Sequence, residues 1–200
     1  YNIAGDNASI GFMYGTVGKN TFAETQANNN KSYMLEYLET WYKKYFLNKE
    51  YEKVLANTIW CNDKSVVSNT DYQALDSSSS FTIGRNYGIG SNYNYYNPAI
   101  RIIKNYNTLE GNPSLVCPTL YINGLDKNLS KFTVKDEKYG NGKLLYKVGL
   151  LTSDEIAYAG AVWGKSNTTY YLYENAYSDM WWTLSPFAKN SMGGAMFTIS

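Results

Sequence analysis

The chain has 200 residues, is 44% hydrophobic and 18% charged, and carries a formal charge of +1, which is one globular domain's worth of sequence. It contains no histidine, so a Ser-His-Asp or Cys-His hydrolase and any imidazole-based metal site are excluded whatever the fold. Two cysteines are too few for a four-thiolate zinc or iron–sulfur site in one chain, and the near-neutral charge leaves no electrostatic footprint for nucleic acid.

In chain order, Ser9 to Tyr14 reads as a short strand, closed by Gly15 and a loop rich in Thr and Asn. A helix is expected from about Asn30 to Leu47. There Met34, Leu38, Trp41, Tyr42, Tyr45 and Phe46 recur at helical spacing and predict a single core-facing stripe. Asn29 or Asn30 is expected to cap it, with Glu36, Glu39, Lys43 and Lys44 on the solvent side. Thr58 to Cys61 reads as a buried strand and Cys61-Asn62-Asp63-Lys64-Ser65 as a turn after it. Asp63 to Asn97 is polar and weakly patterned and predicts a long ordered loop. Asn112-Pro113-Ser114 bends the chain, Phe132 to Val134 alternates as a strand, Tyr139 to Lys143 is a turn, and Leu144 to Leu151 reads as a buried strand. Thr152 and Glu155 form a capping box for a second helix, which Gly160 ends; Asp154 suits its positive N-terminal end. Thr169 to Tyr173, the Trp181 to Pro186 segment and Ala195 to Ile199 complete the strands. Few helices among short strands predict an α+β fold rather than a doubly wound sheet.

Cys61 and Cys117 both sit in apolar strand contexts and are expected to form a disulfide, the other reading being two buried thiols. Closing the loop between them would stabilise by roughly 3–4 kcal/mol. With no histidine, paired carboxylates are the remaining acid–base chemistry. Glu174 and Asp179, beside the aromatic cluster Tyr170 to Trp182, are the best such pair, though solvated loop charges are the better explanation of them. Gly84 to Gly90 resembles a phosphate loop but lacks its Gly-Lys-Ser/Thr ending. Sequons at Asn7, Asn128 and Asn167 are expected by chance in a chain with 23 Asn. The Asn and Tyr excess, with 16 Lys against 2 Arg, is read first as the mark of a low-G+C genome, with a recognition surface as the alternative.

The series Phe132-Thr133-Val134, Gly140-Asn141-Gly142, Val148 to Glu155, Ala159-Gly160, Tyr170 to Tyr173 and Trp181-Trp182-Thr183-Leu184-Ser185-Pro186 resembles a group of uncharacterised exported proteins of low-G+C gut Firmicutes. Met13-Tyr14-Gly15, Trp41-Tyr42 and Cys61 to Ser65 look like the N-terminal half of the same group. The paired Trp and Ser-Pro element is similar to one in domains of the C-type-lectin-like fold, which the formylglycine-generating enzyme shares. That enzyme's C-terminal cysteine pair is absent, since Cys61 and Cys117 lie too early, so its oxidase activity is not carried over. The Glu-Pro-Asn and Trp-Asn-Asp triplets of calcium-dependent lectins are missing too, and no calcium-dependent sugar site is expected.

The resemblance implies a C-type-lectin-like α+β domain over residues 1–200, extracellular or at a cell surface, cut from a longer precursor tethered by an N-terminal membrane anchor. The function expected is non-catalytic binding or adhesion, with no cofactor or metal. The late loops, Ala176 to Asp179 and Ala188 to Gly194, would present Tyr177, Asp179, Lys189, Asn190 and Met192 to a glycan or to a host or bacterial surface protein. A pilin-like, self-associating surface subunit is the alternative, and a carboxylate glycosidase the second alternative.

Overall fold

A computed structural model describes residues 8–16, 22–68, 93–103, 112–121, 128–160, 169–170, 181–186 and 196–199. The elements in order are β1 (Met13–Tyr14), α1 (Phe22–Gln26), β2 (Asn30–Lys31), α2 (Tyr33–Tyr45), a 3-10 turn (Glu50–Val54), β3 (Trp60–Cys61), β4 (Val66–Ser68), β5 (Tyr93–Tyr96), α3 (Asn97–Ile103), β6 (Lys131–Phe132), α4 (Ser153–Tyr158), β7 (Trp181–Pro186) and β8 (Met196–Ile199). Among the described residues the strands form four antiparallel pairs: β1–β2, β3–β6, β4–β5 and β7–β8. The fold is α+β, as the element pattern predicts. Among the same residues, no helix is long and apolar enough to cross a membrane.

Ladders this short leave many backbone groups without strand partners, and buried backbone groups must be paired. Asparagine does much of this work. Buried Asn128 accepts through Oδ1 from the amides of Ser130 (2.9 Å), Leu120 (3.3 Å) and Lys131 (3.3 Å). Asn141 donates to the Asn128 carbonyl at 3.3 Å and Asn62 to that of Gly11 at 3.1 Å. Part of the asparagine excess is therefore internal wiring. Asn128 is buried in these bonds and is no acceptor for a glycan, in keeping with its sequon being chance. Asn7 and Asn167 lie outside the described residues.

The core joins early and late segments: Phe12, Met13, Leu35, Phe132, Leu144 and Leu184 pack together, with Trp60, Leu38, Val134 and Leu150 against them. Phe12 and Phe132 meet edge-to-face at 5.1 Å. Phe12 reaches this site with φ at 64°, a left-handed backbone unusual for a bulky residue. Gly149 lies so close to the Trp60 indole that a Cβ there would fall 2.0 Å from Cδ1.

Several expectations are corrected. The first strand is confined to Met13–Tyr14, because residues 8–10 turn. Asn30–Lys31 forms β2, and α2 starts later, capped by the Ser32 hydroxyl accepting from the Leu35 amide at 3.2 Å. The inner face of α2 is Leu35, Glu39 and Tyr42, so Trp41 and Tyr45 are exposed rather than core. Glu39 is buried rather than solvated, because Lys31 pairs with it at 2.6 Å. Asn62, Asp63 and Lys64 are buried, not a surface turn. The stretch expected to be one long loop holds β4 and β5; positions 69–92 between them lie outside the described residues. Leu144 to Leu151 is irregular beyond a single bridge from Leu144 to Val134. The capping box of α4 is present in full, and Gly160 follows it at φ 105°.

Candidate functional site

A cavity of about 890 Å³ opens beside the β3–β6 pair, within the size range of small-ligand sites. Most of its lining comes from the extended run into β3 (Asn57–Cys61), the extended segment Ser114–Cys117, the β6 region through Tyr139, and the start of α4 with Ser185; Asp63, Arg101 and Lys147 complete it. The expected disulfide is present. Cys61 and Cys117, 56 positions apart with Cα atoms 5.5 Å apart, join the first two of these segments. Apolar surface comes from Ile59, Trp60, Leu115, Val116 and Val134, and Tyr139 adds an aromatic ring. Ile59, Lys131 and Tyr139 also line a second cavity, of about 340 Å³, that extends to Tyr121.

The charged lining is organised by Arg101, from α3. Its Nε and Nη2 donate to the two Asp154 oxygens, each at 2.8 Å, and its Nη1 to Asp63 at 2.7 Å. Both carboxylates are nearly inaccessible, and the Arg101 side chain is 23% exposed. Burial draws the Arg101 pKa down, but the hydrogen bonds and charges of Asp154 and Asp63 outweigh it, and the guanidinium is held more firmly protonated than usual. The planar two-sided fork is a geometry that lysine cannot supply. Asp154 also accepts from the Ser114 amide at 2.8 Å, and Asp63 from the Ser65 amide at 2.9 Å. The network thus ties α3 and α4 to the loop after β3 and to the Ser114 segment.

Further polar groups at the cavity are engaged as well. Glu155 accepts from the Thr152 amide at 2.7 Å, and Asp136 from the amides of Lys138 (2.8 Å) and Tyr139 (3.2 Å). Lys131 donates to Thr119 Oγ1 at 2.9 Å, Lys147 to the Leu55 carbonyl at 2.6 Å, and Ser185 Oγ accepts from the Ser153 amide at 2.9 Å. Chemically, this is a site with apolar walls in which Arg101 is paired with Asp63 and Asp154, while the other charged side chains are hydrogen-bonded to backbone or hydroxyl groups. Among the described residues, no group of three or more Cys, Asp or Glu side chains is placed to hold a metal ion.

Tyr177, Asp179, Lys189, Asn190 and Met192, the expected ligand contacts, lie outside the described residues, as do Glu174 and the Gly84 to Gly90 segment. Asp154, expected only to suit the positive N-terminal end of α4, has the further role of pairing with Arg101. Sequence reasoning missed Arg101 and Asp63. Arginine's scarcity was the available signal: where lysine is 16 and arginine 2, an arginine marks a position whose geometry lysine does not satisfy.

No protein-family model matches the chain, and no curated protein or solved structure matches it at a significant level.

Proposed function

We propose that the chain is a non-catalytic binding or adhesion module, extracellular or at a cell surface, built on a C-type-lectin-like α+β domain. Its ligand is a glycan or a protein. The observation that carries this reading is the cavity of about 890 Å³ whose four lining carboxylates each hold a wall in place. What such a site offers a ligand is Ile59, Trp60, Val116 and Tyr139 with hydrogen-bonding groups around them, a surface for binding. The late loops add Tyr177, Asp179, Lys189, Asn190 and Met192 as further contacts. A disulfide belongs to an oxidising compartment, which supports an exported location.

The test is a glycan and protein array probed with the chain at high concentration. The expected result is a ligand whose affinity falls tenfold or more in Ile59→Asp or Tyr139→Ala, about 1.4 kcal/mol or greater. An array with nothing above background overturns the binding reading. Turnover of chromogenic glycosides that is lost in Glu174→Gln and Asp179→Asn would replace it with an enzyme.

A further inference from the structure

The outward face of α2 is built unlike a solvated helix surface. Tyr33, Tyr37, Trp41 and Tyr45 follow one another at four-residue intervals and are 49%, 46%, 39% and 46% exposed. Solvent faces of amphipathic helices ordinarily carry charged and small polar residues, and Tyr and Trp are enriched where proteins meet. The row is long, about 18 Å from Tyr33 to Tyr45 at the helical rise. It is also ordered from within: the Trp41 and Tyr45 rings lie 5.9 Å apart, and Trp41 packs on Phe46 at 4.9 Å. None of these residues lines either cavity.

The charges beside the row say what fits it. Along one edge of the exposed face, α2 carries Glu36 in its first turn and Lys43 in its last, while Lys44 stands within the aromatic row with its Nζ 4.9 Å from the Tyr45 ring centre; all three are exposed. Glu39, the other acid of the helix, is turned inward onto Lys31. The edge therefore has a negative end and a positive end. A second α2 laid antiparallel across it, with the two-fold axis near Thr40, sets Glu36 of one protomer opposite Lys43 and Lys44 of the partner subunit, and the reverse pair is made at the other end. The aromatic edges then face each other, and the two helix dipoles run in opposition. A parallel arrangement would face like charge with like. The isologous contact closes on itself and needs no other surface.

We propose that the α2 face is a self-association surface at which two copies of this chain pair antiparallel through Tyr33, Tyr37, Trp41 and Tyr45, with Glu36 matched to Lys43 and Lys44. The pairing is independent of the cavity and of its ligand.

Sedimentation velocity over a range of concentrations tests it, using the full chain at low salt and at about 0.5 M salt, where exposed ion pairs are screened. The expected result is a monomer–dimer equilibrium that weakens in salt. Glu36→Lys alone, or Lys43→Glu with Lys44→Glu, should weaken association at least tenfold. The three changes together should restore most of it. Tyr37→Glu should abolish dimerisation, with circular dichroism confirming that each variant stays folded. A strict monomer at every concentration overturns the proposal. So does a dimer that survives both the charge reversals and Tyr37→Glu, since it forms through another surface. Retention on a polysaccharide matrix that is lost in Tyr37→Glu while the chain stays monomeric would assign the face to a glycan instead.

Discussion

Lys64 is the residue in which burial and charge conflict most directly. Its side chain is buried, and its Nζ donates to the carbonyls of Met13 (2.8 Å) and Gln26 (3.1 Å) and to Asn28 Oδ1 (2.8 Å). Those three bonds use all three ammonium hydrogens and hold β1, the end of α1 and the Asn28 turn against the loop after β3; the neutral amine keeps two of them. Loss of water around the ammonium pushes its pKa from 10.5 down to about 7. The sign of the consequence follows from linkage: between pH 7 and 10.5 the unfolded chain holds a proton that the native chain has released. Stability therefore rises with pH across that window, by up to about 1.4 kcal/mol per unit. Tyr42 works the other way at the upper end. Burial, with the Glu52 hydrogen bond, raises its pKa to about 12, so the unfolded chain ionises first and stability falls above pH 10. Urea midpoints from pH 7 to 9.5 should climb in the wild type and stay flat in Lys64→Met. A flat wild-type profile would mean that the native amine keeps its proton. None of this was legible in the sequence, because Asn-Asp-Lys-Ser has the same composition whether water or the chain itself satisfies its polar groups.

Among the elements, those specified by near neighbours were the readable ones. The α4 start needs only Thr152 and Glu155, three apart, and the structure holds both halves of the box: Thr152 Oγ1 accepts from the Glu155 amide at 3.1 Å and Glu155 answers at 2.7 Å. Thr152→Ala should lower the stability of the fold by about 1 kcal/mol, read as a urea-midpoint shift, with Thr152→Ser close to wild type. An unshifted midpoint in the alanine variant would show the box to be redundant beside the Arg101–Asp154 pair. In α2 the period was legible and the inner face was not. Aromatic and aliphatic residues recur on two sides of that helix, and Lys31, outside it, turns Glu39 inward. The candidate site required knowledge of pairs such as Arg101 with Asp63 and Asp154, 38 and 53 positions away. No local pattern encodes such a separation. The α3 start did carry a local sign, since Asn97-Pro98 places a turn-former and a proline where a helix tolerates them. Leu144 to Leu151 misled in the opposite sense: an apolar run suggests a strand, but without a partner ladder beyond the Val134–Leu144 bridge it packs as irregular chain.

At the scale of the molecule, two-residue pairings such as β1–β2 and β3–β6 do not stabilise a domain by themselves, since isolated hairpins are marginal. Cross-links between distant segments carry more of the load, and the Cys61–Cys117 bond is the covalent one. The Ser114–Cys117 segment that it holds belongs to no strand; its other attachments include the Ser114 amide on Asp154 at 2.8 Å and, just beyond it, the Leu129 amide on the Leu120 carbonyl at 2.9 Å. Because Cys61 and Cys117 both line the larger cavity, loss of the bond should act on stability and on the site together. Cys61→Ser with Cys117→Ser should cost about 4 kcal/mol by the loop-closure argument for 56 residues. Denatured protein should yield no reactive thiol before reduction and two after it. The double serine variant, if still folded at low temperature, should bind the cavity's ligand more weakly than the wild type, because one wall is no longer tied to the other. Two thiols found before reduction would overturn the cross-link. Ligand affinity unchanged in the folded double variant would show instead that the Arg101 network alone is sufficient to set the cavity's shape.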